Sequence, residues 1–291
     1  MGCGEWGRHI LRDLRALDCE VHVVARSDES RVRAEAGGAA SLVGAVDELP
    51  EVLGAVVATT TVAHAEVTEA LLSREIPVFV EKPLTADLSS ARRIAALAGD
   101  RVFVMDKWRY HPGIEALAEL TRSGELGRPL GLRTTRVSWG HRFTDVDTVW
   151  IHAPHDLAIG LEILGAIPPV RSAIGERMNG SLTGLVALLG GEPWQTLEIS
   201  ASSPERRREI RLHCEQGTAW LADSYATHIG VSRGLGGASE QRPISPEMPL
   251  LRELRSFVQH LDGGPPPRSS AAEGVEVVNR IVELRLLAGH E

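Results

Sequence analysis

Apolar positions along the first 106 residues switch between two spacings. Over residues 8–17 they recur at helical intervals, with Ile10, Leu11, Leu14 and Leu17 on one face. Residues 20–25 (EVHVVA) read as a strand, and residues 54–58 (GAVVA) as a short buried one. A helix over 65–73, a strand over 77–80, a helix over 88–98 and a strand over 102–105 follow. Strands alternating with helices predict a parallel sheet covered by helices on both faces.

Beyond residue 106 the pattern changes. A helix over 114–122 leads into strands over 131–139, 182–189, 196–202, 210–214 and 218–222. Strands in succession predict a mostly antiparallel sheet. One helix interrupts them over 156–164, with Leu157, Leu161 and Leu164 striping one side and Gly165 stopping it. A Gly-, Ser- and Pro-rich loop over 230–248, a helix over 250–261, the break GGPPPRSS and a helix over 272–287 complete the chain. The pattern contains no internal repeat. It divides into an α/β domain over 1–107 and an α+β domain with an open, mostly antiparallel sheet over 108–291.

Composition narrows the function. With 291 residues and 43% apolar content, the chain can fill two cores. A net charge of −8 without a basic run argues against nucleic acid and anionic membrane as partners. Cys3, Cys19 and Cys214 are scattered and form no CxxC pair, so neither a disulfide framework nor a metal site is indicated, and a cytoplasmic setting is expected. No stretch has the length of an apolar membrane span.

Residues 2–7 read GCGEWG, a G-x-G-x-x-G pattern with Gly2, Gly4 and Gly7 in the glycine places and Glu5 and Trp6 between them. Such a turn joins a strand to a helix whose free N–H groups face a pyrophosphate. Only Met1 precedes it, so the first strand of the dinucleotide-binding domain is expected to be missing or truncated, by a late start or by degeneration of the protein. Where an NAD site usually has an acid at the end of the second strand, this chain has Arg26 and Ser27, in VVARSDES. Guanidinium suits a 2′-phosphate, so NADP(H) is expected, with NAD the alternative. The bland reading of Arg26 is a solvated loop cation.

Three further segments carry a resemblance: IPVFVEKPL with Glu81-Lys82-Pro83 after a strand, MDKWRYHP after the next, and HDLAIGLEILG further on. Together with GCGEWG, and in this order, they resemble the glucose-fructose oxidoreductase/inositol dehydrogenase/MocA family along essentially the whole chain. The resemblance implies a Rossmann domain, a second domain built on an open antiparallel sheet, hydride transfer to or from a small sugar-like substrate, and a homo-oligomer of two or four copies. It places Lys82 at the nicotinamide and substrate, with Pro83 in a cis bond and Glu81 orienting the lysine or touching the cofactor. It makes His155, at the start of a helix, the proton donor or relay. Asp156 is expected to cap that helix. Tyr110 and His111 fall in the region lining the family's site, Tyr110 as a second proton donor or a packing residue. Thr59, Thr60 and His64 match the cofactor-facing loop, and Trp6 packs against cofactor or sheet edge. The family commonly has Asp four residues before its histidine; this chain has Ile151 there, with His152 adjacent. That departure counts against polyol oxidation and leaves ketone or imine reduction. An NADP(H)-dependent oxidoreductase of a small carbonyl or hydroxyl compound is the expectation, such as a nucleotide-linked keto sugar. A non-catalytic NADP-binding sensor or scaffold is the rival, and a redox-neutral lyase or glycosidase with permanently bound cofactor is a third reading.

Overall fold

The computed structural model describes residues 2–140, 145–234 and 239–290. The first helical stripe forms α1 (Gly7–Ala16), burying Ile10 and Leu11. It leads to β1 (His22–Val24), α2 (Asp28–Ala36) and β2 (Ser41–Val43). The Ser27 hydroxyl starts α2 by accepting the Ser30 N–H at 3.2 Å. Next come β3 (Ala55–Val57), α3 (His64–Leu72), β4 (Val78–Glu81), α4 (Leu88–Ala98) and β5 (Val102–Met105). Val78, Phe79 and Val80 are fully buried, as the unbroken apolar run of a strand covered on both faces requires.

All these strands pair in parallel, but in two sheets: β1 with β2, and β3-β4-β5. No strand joins β1 to β3 among the described residues. α1 bridges the division by its side chains, with Leu11 in a cluster with Val23 and Ala34, and Ile10 in one with Phe79 and Met105.

A second compact unit comprises Trp108–Glu247 and Asn279–Glu291. It holds α5 (Pro112–Ser123), β6 (Pro129–Trp139), α6 (Thr148–Leu164), β7 (Val170–Met178), β8 (Ser181–Gly190) and β9 (Trp194–Ser200). β10 (Ser202–Cys214), β11 (Gly217–Leu221), β12 (His228–Arg233) and β13 (Ser239–Pro243) follow. Eight strands form one sheet in the order β13-β12-β11-β10-β6-β9-β8-β7, antiparallel except for the β6–β9 pair. Ile114 and Leu117 of α5 and Ile159 and Ile163 of α6 cover one face, packing on Leu132, Ile210, Leu212 and Leu221. Toward the β7 edge, Ile174, Val186 and Leu188 are exposed, with Ile174 and Val186 directly opposite each other. Part of the loop expected over 230–248 is strand: β13 pairs with β12 through its backbone, although its side chains are polar.

The chain then returns. α7 (Pro249–Leu261) and the first part of α8 (Ala271–Leu287) cluster with residues up to Lys107. Leu250, Leu254 and Phe257 complete the core around Phe79, Phe103 and Met105, and the Phe79 and Phe257 rings lie 5.0 Å apart. No described helix is long and apolar enough to cross a membrane.

Candidate active site

In the first unit the glycine turn has the geometry a dinucleotide site requires. Gly2 has φ +83°, and a Cβ there would lie 2.5 Å from the Ala58 carbonyl oxygen. A Cβ on Gly7 would collide with the carbonyl oxygen of Gly2, so this third glycine lets α1 start against the turn. Above Gly4 nothing lies within 4 Å of where a Cβ would be. The N-terminus of α1 has no side-chain cap and no acid in its first turn. An uncapped helix start beside an open backbone suits a pyrophosphate, so these residues fit a dinucleotide cofactor. Glu5 is exposed and paired with Arg8 and Arg33 at 3.5 and 3.3 Å.

Trp6 connects this turn to the end of β4. Its Nε1–H donates to Glu81 Oε1, and the Lys107 ammonium lies 4.2 Å from the centre of its ring. Burial pushes the Glu81 carboxyl upward, opposed by Lys82, by the Trp6 bond and by Lys107. Lys82 follows Glu81 directly, half-buried, at the C-terminal end of a parallel strand, and the Lys82–Pro83 bond is cis, as expected. His64 Nδ1 is 2.9 Å from the Pro83 carbonyl oxygen, so this buried ring braces the turn that carries Lys82.

Sequence reasoning missed Glu253. It is 1% exposed, and neither carboxyl oxygen has a hydrogen-bond partner among the described residues. Burial raises its pKa well above the carboxylate range; Glu81 and Asp106 push the same way and Lys107 opposes. A signal existed: Glu253 falls on the apolar stripe of α7, between Leu250 and Phe257 at helical spacing.

At the end of β1, Arg26 is exposed and makes no ion pair with any described residue. Ser27, also exposed, uses its oxygen as the α2 cap, which leaves its hydroxyl hydrogen to donate. Thr59 is half-buried and Thr60 exposed, beyond β3 where the short helix at Thr61–Ala63 begins.

In the second unit two expectations change. α6 begins at Thr148, where Asp147 accepts the N–H groups of Val149 and Trp150 at 2.9 and 3.2 Å. His155 therefore sits two turns inside the helix rather than at its start. Asp156 is no cap. It is 1% exposed and takes two hydrogen bonds from Arg136, at 2.9 and 3.1 Å. Pro154 inside the helix and the apolar run VWIHAP hid its true start, which an acid before a β-branched pair signals instead. Ile151 lies one turn before His155 on the same helix face, and is buried. His155 itself is half-buried, as is His152. Tyr110 is buried at the end of the short helix Lys107–Tyr110. His111 caps α5, accepting the Gly113 N–H at 3.0 Å, with Nε2 3.2 Å from the Ser224 carbonyl.

Residues 1–104 match the model of the GFO_IDH_MocA oxidoreductase family, NAD-binding Rossmann fold. Inositol 2-dehydrogenase of Streptomyces avermitilis is 30% identical over 178 residues, a stretch of 57% of this chain and 52% of that protein. The match thus spans about half the length of that relative. D-apiose dehydrogenase of Paraburkholderia graminis is 28% identical across 100% of this chain and 87% of its own. Among solved structures, UDP-N-acetylglucosamine 3-dehydrogenase of Acidithiobacillus ferrooxidans shares the fold with a TM-score of 0.86 over 98% of this chain and 95% of that one, at 20% identity. The glycine turn and the Glu81-Lys82-Pro83 strand end lie within the residues that match the family model, and the eight-stranded sheet is shared in fold with the solved structure: the first 104 residues carry the NAD-binding Rossmann fold of the Gfo/Idh/MocA oxidoreductases.

Proposed function

We propose that this protein transfers a hydride between NADP(H) and a carbonyl or hydroxyl carbon of a small sugar-like substrate. The nucleotide-linked keto sugars are the class we favour. The observation that carries the reading is the glycine turn tied through Trp6 and Glu81 to the strand end bearing Lys82. The bound nicotinamide supplies or accepts the hydride. The Lys82 ammonium donates a hydrogen bond to the reacting oxygen and steadies its growing negative charge. His155 passes a proton to that oxygen in reduction and removes it in oxidation, with Tyr110 a second donor. Arg26 and the Ser27 hydroxyl take the 2′-phosphate, while Gly2, Gly4, Glu5, Trp6 and Gly7 form the pyrophosphate turn. Thr59, Thr60, His64 and Glu81 frame the nicotinamide side. The exposed Ile174, Val186 and Leu188 favour a homo-oligomer, which sedimentation velocity would report as two or four copies.

The test is Lys82→Ala. Turnover on a competent keto sugar drops by about a hundredfold or more, the scale of a lost transition-state donor, while NADP affinity by fluorescence titration holds. Unchanged turnover would remove Lys82 from the chemistry. One observation favours a second reading, a non-catalytic NADP-binding protein: Ile151 sets a buried alkyl group beside His155 where the family commonly has a carboxylate. On that reading NADP binds and no keto sugar is turned over by the wild type.

A further inference from the structure

In the second unit one arginine carries a charge that no carboxylate offsets. Arg136 of β6 and Arg208 of β10 stand directly opposite each other in the strand register, so their side chains leave the same face of the sheet. Arg136 is matched by the two hydrogen bonds it gives the buried Asp156. Arg206 is matched by Asp223 at 3.3 Å. Arg208 is half-buried and pairs with no acid among the described residues. It donates instead to the carbonyls of Val137 and Arg207, at 2.8 and 3.2 Å, and to the Ser138 hydroxyl at 3.4 Å. Burial, with the charges of Arg136 and Arg206, holds its pKa down to about 10. Like charges facing each other across a ladder cost stability, and a desolvated cation without a counter-charge costs more.

Contacts around these arginines close into a circuit. The Arg136 guanidinium lies 4.7 Å from the centre of the Trp108 ring, and Trp108 stacks on His111 with ring centres 5.2 Å apart. His111 Nε2 is 3.2 Å from the Ser224 carbonyl oxygen, and the Ser224 hydroxyl accepts from Arg206 at 3.1 Å. Arg206 and Arg208 then feel each other's charge, which completes the loop. Its Arg206 side is open: that guanidinium is exposed and lies 5.4 Å from the centre of the Tyr225 ring, itself 74% exposed. Both candidate proton carriers of this unit adjoin the circuit in sequence, His155 directly before Asp156 and Tyr110 directly before His111.

We propose that Arg208, with Arg206 at the open side, is an anion subsite that takes a phosphate or carboxylate group of the substrate. The bonds Arg208 makes to the protein come from its two terminal nitrogens, which leaves its Nε–H to donate. A phosphate or carboxylate accepts such a bond in charge-assisted form and supplies the missing counter-charge, whereas a neutral sugar supplies none. The subsite therefore selects a sugar that carries an acid group, as a nucleotide-linked sugar or a sugar acid does, over a neutral polyol. That the anion belongs to the substrate rests on the reaction proposed above; that an anion binds here does not.

Titration calorimetry on the full chain tests this, with NADPH in excess so that the glycine turn is occupied. The probes are uridine diphosphate, galacturonate and, as the neutral control, galactose. Wild type should bind one of the anions about tenfold or more tightly than galactose, and which anion it is tells phosphate from carboxylate. Arg208→Gln should weaken that anion by about tenfold or more, and Arg206→Gln by about threefold or more. Arg211→Gln should change nothing, because Arg211 points to the other face of β10 and pairs with Glu209 at 2.8 Å. Equal binding of anions and galactose by wild type would overturn the proposal. So would an Arg208→Gln protein that melts lower but binds the anion as wild type does, which would make Arg208 a brace between β6 and β10 only. If Arg208→Gln does not fold, the exposed Arg206→Gln decides alone, and unchanged affinity there overturns the proposal. No arm needs turnover, so a failure here is distinct from a failure of the enzymatic reading.

Discussion

Asp156 in the second unit and Glu253 in the first are each 1% exposed, yet their surroundings differ completely. Asp156 receives two hydrogen bonds from Arg136, whose guanidinium also lies 4.7 Å from the Trp108 ring centre. Its backbone carbonyl accepts from the Gln195 side chain at 2.8 Å, tying α6 to β9. Glu253 has no hydrogen-bond partner among the described residues and shares its surroundings with two other acids, Glu81 and Asp106, against Lys107. A buried carboxylate keeps its charge when a forked cation offsets its lost hydration. Without one, it takes up a proton instead. The first arrangement makes a fixed strut, and the second makes a titrating group that feels Glu81, Asp106 and Lys107.

The largest effect should come from breaking the strut. Asp156→Ala strands the Arg136 charge in the sheet and should cost about 3–5 kcal/mol, read as a fall in thermal midpoint. The double substitution Arg136→Met/Asp156→Leu should recover most of that loss, because it removes both desolvated charges together. If the double variant melts no higher than the single one, the pair is more than a packing element.

Glu253→Gln should move stability in the other direction, and only at higher pH. The folded-state pKa of Glu253 lies above the unfolded one. As pH rises through the carboxylate range the unfolded chain releases its proton and the folded chain keeps it, so wild-type stability falls across that window up to the folded pKa. Glutamine has no proton to lose and removes the fall. The variant should equal wild type near pH 4 and melt higher at pH 8, by roughly 2–4 °C for each kcal/mol relieved. A lower midpoint at both pH values would mean that the carboxyl is needed for packing as it stands.

The smallest effect concerns a cation that no acid among the described residues holds. Arg26→Asp should weaken NADP binding by about tenfold, the loss of one charge-assisted bond, and leave NAD binding equal or tighter. Titrations at fixed ionic strength check this, since salt screens an exposed contact. A wild type that binds both cofactors equally would return Arg26 to the solvent.

Local signals made much of this molecule readable. Residues 88–98 and 102–105 are α4 and β5 to the residue, because Asp87 caps the helix and both elements are strongly apolar on their buried sides. α2, β2, β7 and β13 carried no such signal. The nine residues of α2 are mostly charged, and β13 at the edge of the sheet pairs through backbone groups that leave no mark on side-chain pattern. The glycine turn could be read from GCGEWG because each glycine answers a local steric demand. The Trp6–Glu81 bond and the approach of Glu253 could not, because they join segments far apart in the chain. The start of the helix at His155 was hidden by Pro154, which sits in the second turn of a helix that Asp147 had already capped.

The return of α7 sets a timetable for synthesis. Leu250, Leu254 and Phe257 stand in the same cluster as Ile10, Phe79 and Met105. The nucleotide-binding half therefore lacks a wall of its core until the helix at Pro249–Leu261 has left the ribosome. At typical elongation rates that delay is on the order of ten seconds, during which Phe79 and Phe103 lack the cover of α7. Residues 108–247 contain the whole of the eight-stranded sheet, and 279–291 join that unit last. A nascent chain arrested before Pro249 would present the apolar strands of its first unit to chaperones or to its neighbours on the polysome.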